Sequence, residues 1–150
     1  MSSPNKNEQD KNADTAIKAM IAATVGAAMI PAYVNWAFTA AVLGGGVVSI
    51  GLCYGVQLTK EEGWKLVQQF FVAAGAWFVA LNFGSKFITM ILQTTGVGYG
   101  IGYTLDAAIS AAASYAIGQA AKEYFKGQRD MGKIGKIFRD SFTNFKKENS

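Results

Sequence analysis

From residue 19 to residue 59 the chain carries no Asp, Glu, Lys or Arg. A run of that length cannot present a water-facing surface throughout, because helices that are apolar all round belong in a protein core or in lipid. Its polar candidates are Thr24, Asn35, Thr39, Ser49 and Gln57, too few to clothe an exposed face. A chain of 150 residues has little interior to spare for several such helices. The run therefore predicts a small all-α protein in or on a membrane.

Four apolar segments emerge, and they suggest helical hairpins. Asp14 or Thr15 can cap a first helix over 17–30, which Pro31 interrupts. A second helix runs over 33–54, weakened by Gly44, Gly45 and Gly46, and Gly55 suits the left-handed turn that ends it. Thr59 and Glu62 form a capping-box pattern, so a third helix is expected over 60–91. Its uncharged stretch between Leu66 and Ser85 approaches the roughly 20 residues needed to cross a bilayer core. A fourth spans 98–125. A basic amphipathic helix follows over 132–146, where Lys133, Lys136 and Arg139 lie among Phe138 and Phe142, and it suits a helix lying flat among headgroups. The Val/Ile-containing runs near Val47 and Ile101 lack the alternation that strands require. The expected organisation is a disordered polar arm over 1–14, an apolar membrane domain over 15–127 and a basic amphipathic tail over 128–150.

The net charge of +4 is confined to the residues from Lys122 onward, since positive and negative residues balance up to Ala121. An excess of Lys and Arg beside apolar helices predicts contact with an anionic surface and a cytoplasmic C-terminus. The expected location is the bacterial inner (cytoplasmic) membrane.

Catalytic chemistry is poorly provided for. There is no histidine, and Cys53 is the only cysteine, so the commonest general base and metal ligand are missing. No paired carboxylates or nucleophile–base pattern stands out, and neither enzymatic activity nor a cofactor is expected. Asp106 is the only carboxylate within the apolar part of the fourth segment, and Lys86 is its candidate intramembrane partner, because burying one charge in lipid is costly. The alternative puts both at the membrane interface. Gly96, Gly98, Gly100 and Gly102 are not preceded by a strand or followed by a P-loop lysine, which disfavours nucleotide binding. Gly98, Gly102, Ala107, Ala111 and Gly118 instead form a small-residue face of the kind that lets helices approach closely. That face predicts homo-oligomers. Trp64, beside Lys65, suits an aromatic belt, and Trp77 suits packing. Acidic residues interrupt the basic tail, and no recognised module accompanies it, so no nucleic acid is expected.

The order Ile30-Pro31, then Cys53-Tyr54-Gly55-Val56-Gln57-Leu58-Thr59-Lys60-Glu61-Glu62, then the glycine run over 96–102, and finally Tyr115-Ala116-Ile117-Gly118-Gln119-Ala120-Ala121-Lys122-Glu123-Tyr124-Phe125 resembles the YcjF-like domain of unknown function associated with GTPases. The resemblance covers about residues 16–127. Asn35 stands where the family often has an acidic residue after its proline, with shifted spacing. The resemblance implies a stand-alone membrane partner of a GTPase, since this chain has no GTPase motifs of its own.

The leading expectation is a non-enzymatic helical membrane protein that anchors or partners a GTPase and self-associates. An oligomeric pore or membrane-inserting hairpin is one rival, and a soluble bundle that binds a partner protein is another.

Overall fold

The computed structural model of the chain describes residues 6–27, 32–84, 87, 91 and 107–149, with backbone alone at 27 and 32–38. The described elements are helices: α1 (Lys6–Ala27), α2 (Ala32–Cys53), α3 (Lys60–Ala74), α4 (Ala76–Phe83), α5 (Ala107–Phe125) and α6 (Met131–Glu148). No strand occurs among the described residues. Lys86, Asp106, Gly98 and Gly102 lie outside them.

The first helix starts earlier than its apolar content suggests. Ala13, Ile17 and Met20 repeat at helical spacing and are almost fully buried, so the core stripe extends back into the polar segment. Asp10 and Asp14 are one turn apart on α1. They pair in antiparallel order with Lys126 (3.5 Å) and Lys122 (2.9 Å) of α5. The Tyr54 hydroxyl, just past α2, also donates to Asp10 at 2.6 Å. These contacts correct the expectation of a disordered arm over 1–14: from Lys6 onward the polar residues form one flank of a packed helix.

The glycines of α2 do not break it; at Gly44 and Gly46 neighbouring helices fill the space that the missing side chains leave. A Cβ on Gly46 would collide with Met20 of α1, and one on Gly63 would stand 2.7 Å from the Gly44 carbonyl oxygen. The α2–α3 crossing is therefore backbone against backbone. Beyond Cys53, Gly55 takes φ +79°, and Val56 N–H donates to Gly51 O at 2.8 Å. This gives α2 the left-handed ending expected from its sequence.

At the start of α3 both halves of the capping box form. Glu62 N–H donates to Thr59 Oγ1 (3.1 Å), and Thr59 N–H donates to Glu62 Oε1 (2.9 Å). The helix does not continue to residue 91. It stops at Ala74, Gly75 adopts φ +101° and ψ 139°, and α4 leaves at a bend of 99°. Only glycine takes that backbone region readily.

Helix α5 lies at the centre, against α1, α2 and α6, while α3 bridges α2 and α6. Its Ala, Ser and Gly content permits this crowding. A Cβ on Gly118 would press on Ile17 of α1. Thr24 of α1 and Ser114 of α5 share a buried hydroxyl–hydroxyl hydrogen bond of 2.7 Å, and Ser114 also donates to Ser110 O at 2.9 Å. The core thus contains a small, satisfied polar contact, as buried polar groups require.

Helix α6 begins at Asp130, whose carboxylate accepts from the Gly132 and Lys133 amides. Its apolar stripe of Ile134, Phe138 and Phe142 has no exposed surface. This corrects the expectation of a helix lying flat among headgroups: the Phe face closes the bundle, leaving Lys133 and Lys136 outside. Among the described residues, Lys6–Asp14 of α1 and helix α6 therefore pack in the same bundle as the helices between them. No single described helix is long and apolar enough to cross a membrane; α3 and α4 meet that measure only together, across their bend.

Candidate membrane-contact site

Helix α4 is short and apolar, and its two faces have different surroundings. Val79 and Phe83 point inward and are buried. Phe78 meets Phe138 and Phe142 at ring-centroid distances of 6.3 and 5.5 Å. Phe71 of α3 packs edge-on against Phe83, Phe87 and Phe138 at 5.0–5.3 Å. Such edge-to-face contacts add to simple area burial, and the cluster anchors the elbow from within.

Among the described residues, none covers the opposite face. Trp77 is 82% exposed and Leu81, one turn on, 72%; Val72, on the last turn of α3, is 60% exposed. Isolated exposed apolar residues are common, but a Trp and two large aliphatic residues around one bend form a patch that calls for a contact. The burial of the tryptophans is the reverse of the expectation. Trp64 is buried in the α2–α3 interface and Trp77 is outside. Residues 77 and 81 share one α4 face and 79 and 83 the other, and Gly75 and Gly84 bracket the helix. That pattern was present in the sequence, but it is visible only once the chain is known to bend at 75.

The bend is held from α6. A Cβ on Gly135 would collide with Ala73 O, so the two backbones touch there. Arg139 Nη1 donates to Ala74 O at 3.1 Å, satisfying a carbonyl at the end of α3. Beside the elbow, Lys65, Gln68, Gln69, Val72, Ala73 and Met131 line an open groove of about 390 Å³. Gln68 Nε2 donates to Ile91 O at 2.7 Å, fixing one wall.

Of the residues singled out from sequence, the structure gathers Arg139, Phe138 and Phe142 at this elbow, the two phenylalanines as its internal support. Lys133 and Lys136 are exposed on α6, and Lys136 pairs with Asp140 at 2.8 Å. Ala107 is exposed, while Ala111 and Gly118 are buried, with Gly118 against α1. That part of the small-residue face therefore serves packing within the chain. The patch residues Val72 and Leu81 were not anticipated. Among the described residues, no three His, Cys, Asp or Glu side chains converge as metal ligands would.

The described helices thus define an all-α bundle with an exposed apolar elbow. The family model described as Domain of unknown function (DUF697) matches residues 3–147, nearly the whole chain, and the protein belongs to that family. No curated protein and no solved structure matches it.

Proposed function

We propose that this is a non-enzymatic helical protein that docks on a lipid bilayer through the Gly75 elbow and serves there as an anchor or partner for another protein. The observation that carries the reading is the outward display of Val72, Trp77 and Leu81 on a bend whose inner side is packed with phenylalanine. A Trp at such a rim suits the boundary between headgroups and acyl chains, where an apolar ring and a polar N–H are both accommodated. Burial of each large side chain contributes about 1.5–3 kcal/mol. Three together give useful but reversible adhesion, as for a helix lying in the interface rather than crossing it. The bacterial inner membrane, with its anionic cytoplasmic surface, fits the basic C-terminal third. A GTPase is the partner implied by resemblance to the YcjF-like group.

Flotation with phosphatidylcholine vesicles tests the docking. The double variant Trp77→Ser, Leu81→Ser should bind at least about tenfold more weakly, since 1.4 kcal/mol is one decade, with an unchanged circular dichroism spectrum. Equal binding by wild type and variant would overturn the reading. So would a vesicle-free dimer in sedimentation that the same substitutions abolish, because the elbow would then be covered by a second copy.

A further inference from the structure

We propose that the groove beside the elbow is a binding site for one anionic phospholipid, with its phosphate at Lys65 and Gln69 and an acyl chain along Val72, Ala73 and Met131. The proposal rests on the bilayer-docking reading and names the lipid class that the same surface selects. Along α3 the lining changes from cationic and amide at Lys65, Gln68 and Gln69 to apolar at Val72 and Ala73, and Met131 of α6 faces it. Spacings of three and four residues place these side chains on one helical face. From Lys65 to Val72 the axis rises about 10 Å at 1.5 Å per residue. With α3 upright on the elbow, that rise carries the groove from the depth of the acyl boundary into the headgroup layer, which is roughly 5–8 Å thick on each side.

Continuity with the docking surface supports a lipid over a soluble ligand. Val72 belongs both to the groove and to the exposed elbow patch, so a molecule in the contacted leaflet reaches the groove without leaving the membrane. The charge is complementary as well. Glu62, one turn before Lys65, feels the Lys65 charge but is held by the Thr59 amide, and among the described residues no carboxylate lies within ion-pair distance of Lys65. The groove volume lies in the lower range of small-molecule sites, roughly 300–1,000 Å³, enough for a headgroup and part of one chain. A zwitterionic lipid would bring its own cation up to the Lys65 ammonium, so an anionic headgroup is preferred.

The test compares flotation on phosphatidylcholine vesicles with flotation on vesicles doped with phosphatidylglycerol at fixed ionic strength. A photoreactive phosphatidylglycerol supplies a second readout. Wild type should prefer the doped vesicles and crosslink to the peptide containing Met131. Lys65→Gln should lose about fivefold of that preference, the factor equivalent to about 1 kcal/mol for one cation at an anionic surface, and should lose the crosslink while binding phosphatidylcholine as before. Gln69→Leu should weaken the crosslink, and Lys133→Gln, outside the groove, should leave it intact. Equal loss of crosslink in Lys65→Gln and Lys133→Gln would overturn the site in favour of diffuse attraction. Suppression of the crosslink by inorganic phosphate at matched ionic strength would overturn it in favour of a soluble anion. Binding to phosphatidylcholine that depends on Trp77 and Leu81 but shows no anionic preference would overturn the groove and leave the docking reading standing. Binding to neither vesicle would overturn both.

Discussion

Arg139 of α6 donates a hydrogen bond to the carbonyl oxygen of Ala74, the last residue of α3, at 3.1 Å, so the final helix of the chain closes the end of the helix that precedes the elbow. Four residues back along α6, Gly135 lies against the Ala73 carbonyl. A kink needs an identifiable cause, and this one has two: a glycine in a conformation other residues avoid, and a cationic side chain that satisfies the carbonyl freed at the bend.

Removing that side chain should loosen the elbow. Arg139→Ala removes the donor to Ala74 O and is expected to lower stability by about 1.5 kcal/mol, the low end for a charge-assisted hydrogen bond because the contact is partly exposed. Urea unfolding measures the loss, and proteolysis near Gly75 should quicken. An unchanged midpoint together with unchanged cleavage would remove Arg139 from the account.

Two glycine substitutions should act with opposite signs. Gly135→Ala drives a methyl into the Ala73 carbonyl, and overpacking of that kind costs about 1–3 kcal/mol. Gly45→Ala, in an exposed position of α2 with nothing near its added methyl, should stabilise by about 0.5–1 kcal/mol, because alanine restricts the unfolded chain and favours helix. Thermal melts of the pair test the interpretation directly. If both fall by the same amount, the close α3–α6 approach is not what makes residue 135 a glycine.

The Asp10–Tyr54 contact sets a pH dependence. The Tyr54 hydroxyl holds the Asp10 carboxyl below its ordinary value, aided by Lys126 and Lys122. As pH falls below about 4, the usual unfolded value, the unfolded chain takes up this proton first and stability is lost. At the alkaline end, burial and the Asp10 charge push the Tyr54 phenol above its ordinary value. The unfolded chain then releases that proton first, and stability declines as pH rises past about 10. Tyr54→Phe should flatten the acid limb and abolish the alkaline contribution from this residue. Parallel wild-type and variant profiles of unfolding midpoint against pH would contradict the linkage.

At the N-terminus of α3, Thr59→Ala removes the side-chain half of the capping box and should cost about 1 kcal/mol. The Thr59 amide and hydroxyl also hold the Glu62 carboxyl below its ordinary value. The Glu62 contribution is therefore present at neutral pH and fades as pH falls through that lowered value. The deficit of Thr59→Ala in thermal melts should be largest near neutrality and should shrink in acid. A deficit that does not change with pH would mean that the Thr59 hydroxyl does not act on the Glu62 carboxyl, which the Thr59 amide still holds in the variant.

Local signals were legible because a few adjacent residues decide them. Thr59 and Glu62 form their box, Gly55 ends α2, and the helical class follows from uncharged runs without alternation. What the sequence could not decide was which side of each helix meets another helix. Trp64 faces inward because Gly44 and Gly63 bring α2 and α3 into backbone contact beside it, and Trp77 faces outward because Gly75 turns α4 through 99°. Phe138 and Phe142 look like membrane residues by spacing alone, yet they fill the space that same turn opens beneath α4. Residues 6–14 look like a solvated arm until Lys122 and Lys126, more than a hundred positions away, are placed beside Asp14 and Asp10. By itself the sequence determined the helical class, the end of α2 at Gly55 and the start of α3 at Thr59, and that the helices had apolar surface to bury; only the tertiary structure decided where α1 begins, where α3 breaks and which apolar surface remained exposed, because these depend on contacts between residues far apart in the chain.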